Sequence, residues 1–99
     1  MKKTEILNKL NEDADYLREQ YGVTQIGLFG SFQKGKEDEE SDIDLLVNLE
    51  KGHKDLFNYM RLKGHLEDIL GREVDLVTKP ALKNRLKDKI LDQVEYVEK

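Results

Sequence analysis

Residues 42–50, Asp-Ile-Asp-Leu-Leu-Val-Asn-Leu-Glu, constrain the fold of this chain more than any other stretch. Their alternation marks a β-strand, in which neighbouring side chains take opposite faces. Ile43, Leu45 and Val47 then share one face, while Asp42, Asp44 and Leu46 share the other. One strand therefore has to serve an apolar interior on one side and hold two carboxylates near its start on the other.

The segments around it supply the partners such a strand needs. Residues 4–21 place Ile6, Leu10, Ala14, Leu17 and Tyr21 at helical spacing, with Gly22 as the stop, and read as one amphipathic helix. Residues 23–30 are short, apolar and closed by glycine, which suits a buried strand; residues 32–41 read as a loop or a short helical turn. A second amphipathic helix follows over 54–70, with Tyr59, Leu62, Leu66 and Ile69 in register and Gly71 ending it. Residues 72–79 form a third strand, in which Val74 and Leu76 oppose Asp75 and Val77. Pro80 suits the first position of a last helix striped by Leu82, Leu86 and Ile90, and residues 94–97 make a final short strand or a frayed end.

This order predicts an α/β (α+β) fold, a small mixed β-sheet with helices packed on one side. The short link between the first two strands favours an antiparallel pair, and the helix between the second and third allows a parallel one. Ninety-nine residues suffice for one domain over 1–99.

Composition narrows the function. The absence of cysteine removes disulfides and thiolate metal ligands and fits a reducing compartment. No apolar run approaches the ~20 residues that span a bilayer, and no apolar core follows the basic start, so a cytoplasmic protein with no membrane partner is expected. Net charge is −4, with −6 in residues 1–50 and +2 in residues 79–99. Proteins that grip duplex nucleic acid show a basic surplus, so direct nucleic-acid binding is not expected. The acidic half would repel any polyanion unless cations intervene, which directs attention to metal ions.

Three aspartates stand in predicted strands, where this residue is disfavoured: Asp42, Asp44 and Asp75. A single strand aspartate more often marks an edge or an end than an active site. Three converging on one face would repel one another and retain protons unless a cation compensated them, and a hard divalent ion with oxygen ligands, magnesium, suits that need. Upstream, Gly30-Ser31 closes the first strand in a turn whose backbone N–H groups and hydroxyl could hold a phosphate. Alone that pair is weak; eleven residues before Asp42-Ile43-Asp44 it gains force.

Taken together, Gly30-Ser31, Lys34-Gly35, Ser41-Asp42-Ile43-Asp44-Leu45-Leu46-Val47 and Val74-Asp75-Leu76-Val77 resemble the minimal nucleotidyltransferases of the DNA polymerase β superfamily. The resemblance implies the polymerase β-like nucleotidyltransferase fold and transfer of a nucleoside monophosphate from a triphosphate, with ATP as substrate and Mg2+ as cofactor. It implies that Gly30 and Ser31 contact phosphates, that Asp42 and Asp44 bind metal, and that Asp75 is the third catalytic and metal-binding carboxylate. The family commonly carries an arginine in the turn where this chain has Gln33 and Lys34; lysine keeps the charge without the forked grip on phosphate.

Only about twenty-two residues follow the third-aspartate strand, leaving little room for an acceptor-binding domain. The resemblance extends to family members that are antitoxins paired with a HEPN-domain RNase toxin. The resemblance thus implies a protein acceptor, adenylylated on a tyrosine and thereby silenced. Two alternatives remain open at this level: an antitoxin that neutralises its partner by binding alone, and an aminoglycoside-type enzyme with a small-molecule acceptor. His53 and His65 lack partners in motif spacing. The four tyrosines, the acidic run 37–40 and the basic residues Lys83, Arg85, Lys87 and Lys89 read as core, interface or solvated surface.

Overall fold

The computed structural model describes residues 2–35, 41–82 and 84–97, with the side chains of Ser31, Lys34 and residues 84–86 outside that description. Helix α1 (Lys3–Glu12) and helix α2 (Ala14–Tyr21) occupy the stretch expected to be one helix. The interruption falls at Asp13, whose carboxylate lies 2.6 Å from His65 Nε2 on a helix later in the chain. Leu17 N still donates to Asp13 O, so the apolar stripe carries across the break and Ile6, Leu10, Leu17 and Tyr21 are all buried.

Strand β1 (Val23–Phe29) runs antiparallel to β2 (Ile43–Leu49), and β2 runs parallel to β3 (Val74–Thr78). Helix α4 (Leu56–Leu70) makes the crossover. It is opened by Asp55, whose side chain accepts from Asn58 N at 2.8 Å, and closed by Gly71 in the left-handed conformation. The closing residues form β4 (Glu95–Tyr96), antiparallel to β1, so the mixed sheet has the order β3-β2-β1-β4.

One face of this sheet holds the core. Ile26, Leu28, Ile43, Leu45, Val47, Val74 and Leu76 meet Ile6, Leu10 and Leu17 from α1 and α2 and Leu62, Leu66 and Leu70 from α4. Period-two alternation assigns Ile43, Leu45 and Val47 to one face and sets Val74 and Leu76 apart from Asp75, and burial agrees with that assignment. Asn58 is the buried polar group on α4: its amide donates to Tyr21 O and to His53 O, both at 2.8 Å, and joins α4 to the end of α2.

Edge strand β3 is covered by α4 side chains. The carboxylate of Glu67 accepts Val74 N–H at 3.0 Å, and Tyr59 OH donates to Leu76 O at 2.5 Å. That Val74 N–H, with the Lys63 ammonium, holds Glu67 below the usual carboxylate range. Two groups that an open edge would offer to another strand are thus occupied.

The opposite face is also partly closed, which differs from a sheet covered on one side only. Leu46, in register with Gly27 and Val77, is fully buried there. A Cβ at Gly27 would come within 2.6 Å of Val94, so the residue after α5 (Asn84–Gln93) closes over this middle stretch. Pro80 does not start that helix. It sits in a separate 3-10 turn (Lys79–Ala81), and the expected stripe is half-buried at Leu82 and Ile90, while Leu86 lies outside the described side chains. No helix among the described residues is long and apolar enough to cross a membrane.

Candidate active site

The end of the second face, beyond Leu46, is open and carries the acidic residues. Parallel register places Asp44 directly beside Asp75, and antiparallel register places Phe29, the last residue of β1, on the other side of Asp44. Asp42 stands just before β2, exposed; Asp75 is exposed, and Asp44 between them is half-buried. Expected from spacing alone, the shared face of the three aspartates is therefore what pairing of β2 with β3 produces.

Their mutual influence is strong. Burial pushes the Asp44 carboxyl up to about 6, and the neighbouring charges of Asp75 and Asp42, with a hydrogen bond shared with Asp75, push in the same direction. Among the described residues, no three acidic or imidazole groups are already drawn together as a closed ligand set. The group is an open acidic edge.

Gly30 completes it. The residue opens the short helix α3 (Gly30–Lys34) at φ +75°, and a Cβ placed there would lie 2.1 Å from Asp44 Oδ2. The turn and the carboxylate are therefore in direct contact, and only glycine leaves the space and adopts the backbone conformation without strain. Ser31 and Lys34 continue α3 in their backbone; their side chains, and the acidic run at 37–40, lie outside the described residues. Phe32, next in the same helix, is fully buried and anchors the turn to the core, a role that its position in an expected loop did not suggest.

Arg72 is a further residue the motifs did not single out. Its guanidinium donates to Ser41 O at 3.1 Å and lies 5.3 Å from the centre of the Phe32 ring. One side chain thus ties the approach to Asp42 to the Gly30 turn. Its nearness to Asp75 in sequence is the sole trace of this. The histidines lie away from the aspartates: His65 is hydrogen-bonded to Asp13 and packs against the rings of Tyr16 and Tyr21, and His53 Nδ1 is 3.5 Å from Glu50 Oε1, long for a hydrogen bond.

A mixed sheet with paired carboxylates at one end of its open face, against a glycine turn, defines a nucleotide-transferring class of enzyme. The family model described as a nucleotidyltransferase domain matches residues 10–97, and the chain belongs to that family and is a nucleotidyltransferase. It is 41% identical over 93 residues to the protein adenylyltransferase MntA of Thermococcus cleftensis, covering 94% of this chain and 93% of that one. Among solved structures it is similar to one assigned to the minimal nucleotidyltransferases (TM-score 0.80, 36% identity, 96% and 95% of the two chains). It is also similar to a chain of a toxin–antitoxin crystal structure with AMP-PNP (TM-score 0.74, 27% identity, 93% and 72%).

Proposed function

We propose that this chain transfers AMP from ATP to a tyrosine of a separate protein, a HEPN-domain RNase toxin, and so acts as its antitoxin. The observation that carries the reading is the Asp44–Asp75 pair, side by side in register, with Asp44 against the Gly30 turn. The Thermococcus relative is named a protein adenylyltransferase, and the toxin–antitoxin structure was obtained with an ATP analogue, which supports AMP as the transferred group and a protein as the acceptor.

The donor set fits a divalent cation. Burial, and then the neighbouring charges of Asp75 and Asp42, push Asp44 up to about 6, a strain that a cation would relieve, and hard carboxylate oxygens are what magnesium prefers. Asp42, Asp44 and Asp75 would hold it, with exposed positions left for phosphate oxygens. Once bound, magnesium supplies charge neutralisation on the triphosphate and a lowered pKa for the attacking hydroxyl.

The chain's own residues divide the remaining work. Gly30 and Ser31 receive the phosphates, and Lys34 adds positive charge to the same turn. Asp75, exposed at the sheet edge, faces the acceptor and takes the hydroxyl proton. The acceptor oxygen forms a bond to the α-phosphorus, the bond from that phosphorus to the bridging oxygen breaks, and pyrophosphate leaves. Arg72 holds the approach to Asp42 fixed while this occurs.

Incubation with ATP, magnesium and the product of the adjacent gene, followed by intact-mass spectrometry, tests the reading. AMP should appear on that product with the parent chain and fall at least about 100-fold with Asp44→Asn. Transfer by Asp44→Asn at the parental rate would sink the site assignment. An unmodified but tightly bound product would favour neutralisation by binding alone, and transfer only to an aminoglycoside would favour the small-molecule reading.

A further inference from the structure

The aspartate edge offers a protein partner charge but little apolar surface. The opposite end of the molecule offers the reverse. Leu56, Phe57 and Met60, on the first turns of α4, are 71%, 84% and 55% exposed. Leu56 also lines a cleft of about 410 Å³, together with Leu49, Tyr59, Pro80 and Ala81 among others. Leu56, Phe57, Met60 and Tyr16 are the exposed large hydrophobics of the described residues. Exposed apolar side chains grouped in this way mark an interaction surface.

The rim identifies the occupant. Lys54 lines the cleft itself, and Lys51 and Arg61 are exposed in the chain close to Leu49 and Met60; none of the three pairs with a carboxylate among the described residues, and Arg61 lies 5.9 Å from the centre of the Tyr21 ring. Asp55, the acid within the patch, is already engaged in capping α4. A two-fold contact between copies of this chain would set these cations against themselves. A different protein, presenting an apolar segment bordered by carboxylates, would meet both the patch and its rim.

We infer that the start of α4 is the docking surface by which this chain is held to such a partner, leaving the aspartate edge open. Asp44 is the second residue of β2 and Leu49 the last, so the two regions lie about 16 Å apart along the strand. They also lie on opposite faces, since α4 packs on the core side and Asp44 points to the other. The inference rests on the reading that the acceptor is a separate protein, and the partner to be tested is therefore that acceptor.

Complex formation with the product of the adjacent gene, followed by size-exclusion chromatography with light scattering, tests it independently of catalysis. Phe57→Glu with Met60→Glu should weaken the complex at least tenfold, and Lys54→Glu several-fold, while Asp44→Asn leaves it intact. Because these side chains are exposed, circular dichroism should show the variants folded. Loss of the complex with Asp44→Asn but not with Phe57→Glu would overturn the inference, since the partner would then cover the catalytic edge. So would tighter binding by Lys54→Glu, absence of any complex with the parent, or a homodimer of this chain that Phe57→Glu dissociates. Failure of AMP transfer within an intact complex would count against the proposed activity and leave the docking surface standing.

Discussion

The two faces of β2 are built from adjacent residues and do opposite things. Ile43, Leu45 and Val47 are fully buried against α1, α2 and α4, where each contributes to holding the sheet. Asp44, between the first two, faces a half-open edge crowded with other carboxylates and weakens the fold at neutral pH. A strand with a secure apolar side can carry strain of this kind on the other, because the energy of burying three aliphatics exceeds the repulsion among three partly hydrated acids.

Leu45→Ala breaks the stabilising side and should have the largest effect. A cavity at a fully buried leucine costs about 3 kcal/mol, or roughly 10–20 °C in melting temperature for a domain of this size. Transfer per folded molecule, measured well below the new midpoint, should be unchanged. A large loss of turnover at that temperature would show that the two faces are not separable.

Gly30→Ala strikes where turn and acid meet. Its Cβ would contact Asp44 Oδ2, and the backbone would be held at φ +75°, which costs about 1–2 kcal/mol for a non-glycine residue. Displacing the carboxylate should lower transfer about 100-fold. Calorimetry and turnover on the same sample would separate these losses, and parental turnover would show that Asp44 need not sit where it does.

The smallest effect has the opposite sign. Asp44 releases its proton near pH 6 in the folded chain, against an ordinary 3.8. The folded state therefore binds that proton more tightly than the unfolded chain. The resulting stabilisation is fully present below about pH 4 and is lost as pH rises through 6. Asp44→Asn should abolish this decline and, allowing for solvent screening at a half-exposed site, stabilise the metal-free protein at pH 7 by on the order of 1 kcal/mol or less. Melting curves between pH 4 and 8 would show it. Magnesium should raise the midpoint of the parent above pH 6 and have much less effect on the variant; parallel curves for the two proteins would remove Asp44 as the strained group.

Much of this was legible in the residues. Alternation in 42–50 and 74–78 assigned the buried and acidic faces, because period two leaves an aspartate no choice of side once its aliphatic neighbours are inside. The antiparallel and parallel pairings followed from one short and one long connection. Less visible were features made by contact between distant segments. The break at Asp13 accompanies a hydrogen bond to His65, fifty-two residues away, and Phe32, in a stretch that reads as a loop or a short helical turn, shows its burial only once the fold encloses it. Likewise, the Arg72 tie to Ser41 and Phe32 has no signature in spacing.

By itself, then, the sequence determined most of the elements, the faces of the second and third strands, and the three aspartates with their glycine turn, since these depend on local periodicity and on chemistry that only a few residue types provide. Tertiary structure decided that Asp44 lies beside Asp75, that Gly30 must leave room for the Asp44 carboxylate, and that the exposed apolar patch stands at the other end and on the other face. Those relations arise from register and packing, where atoms far apart in the chain compete for the same few ångströms.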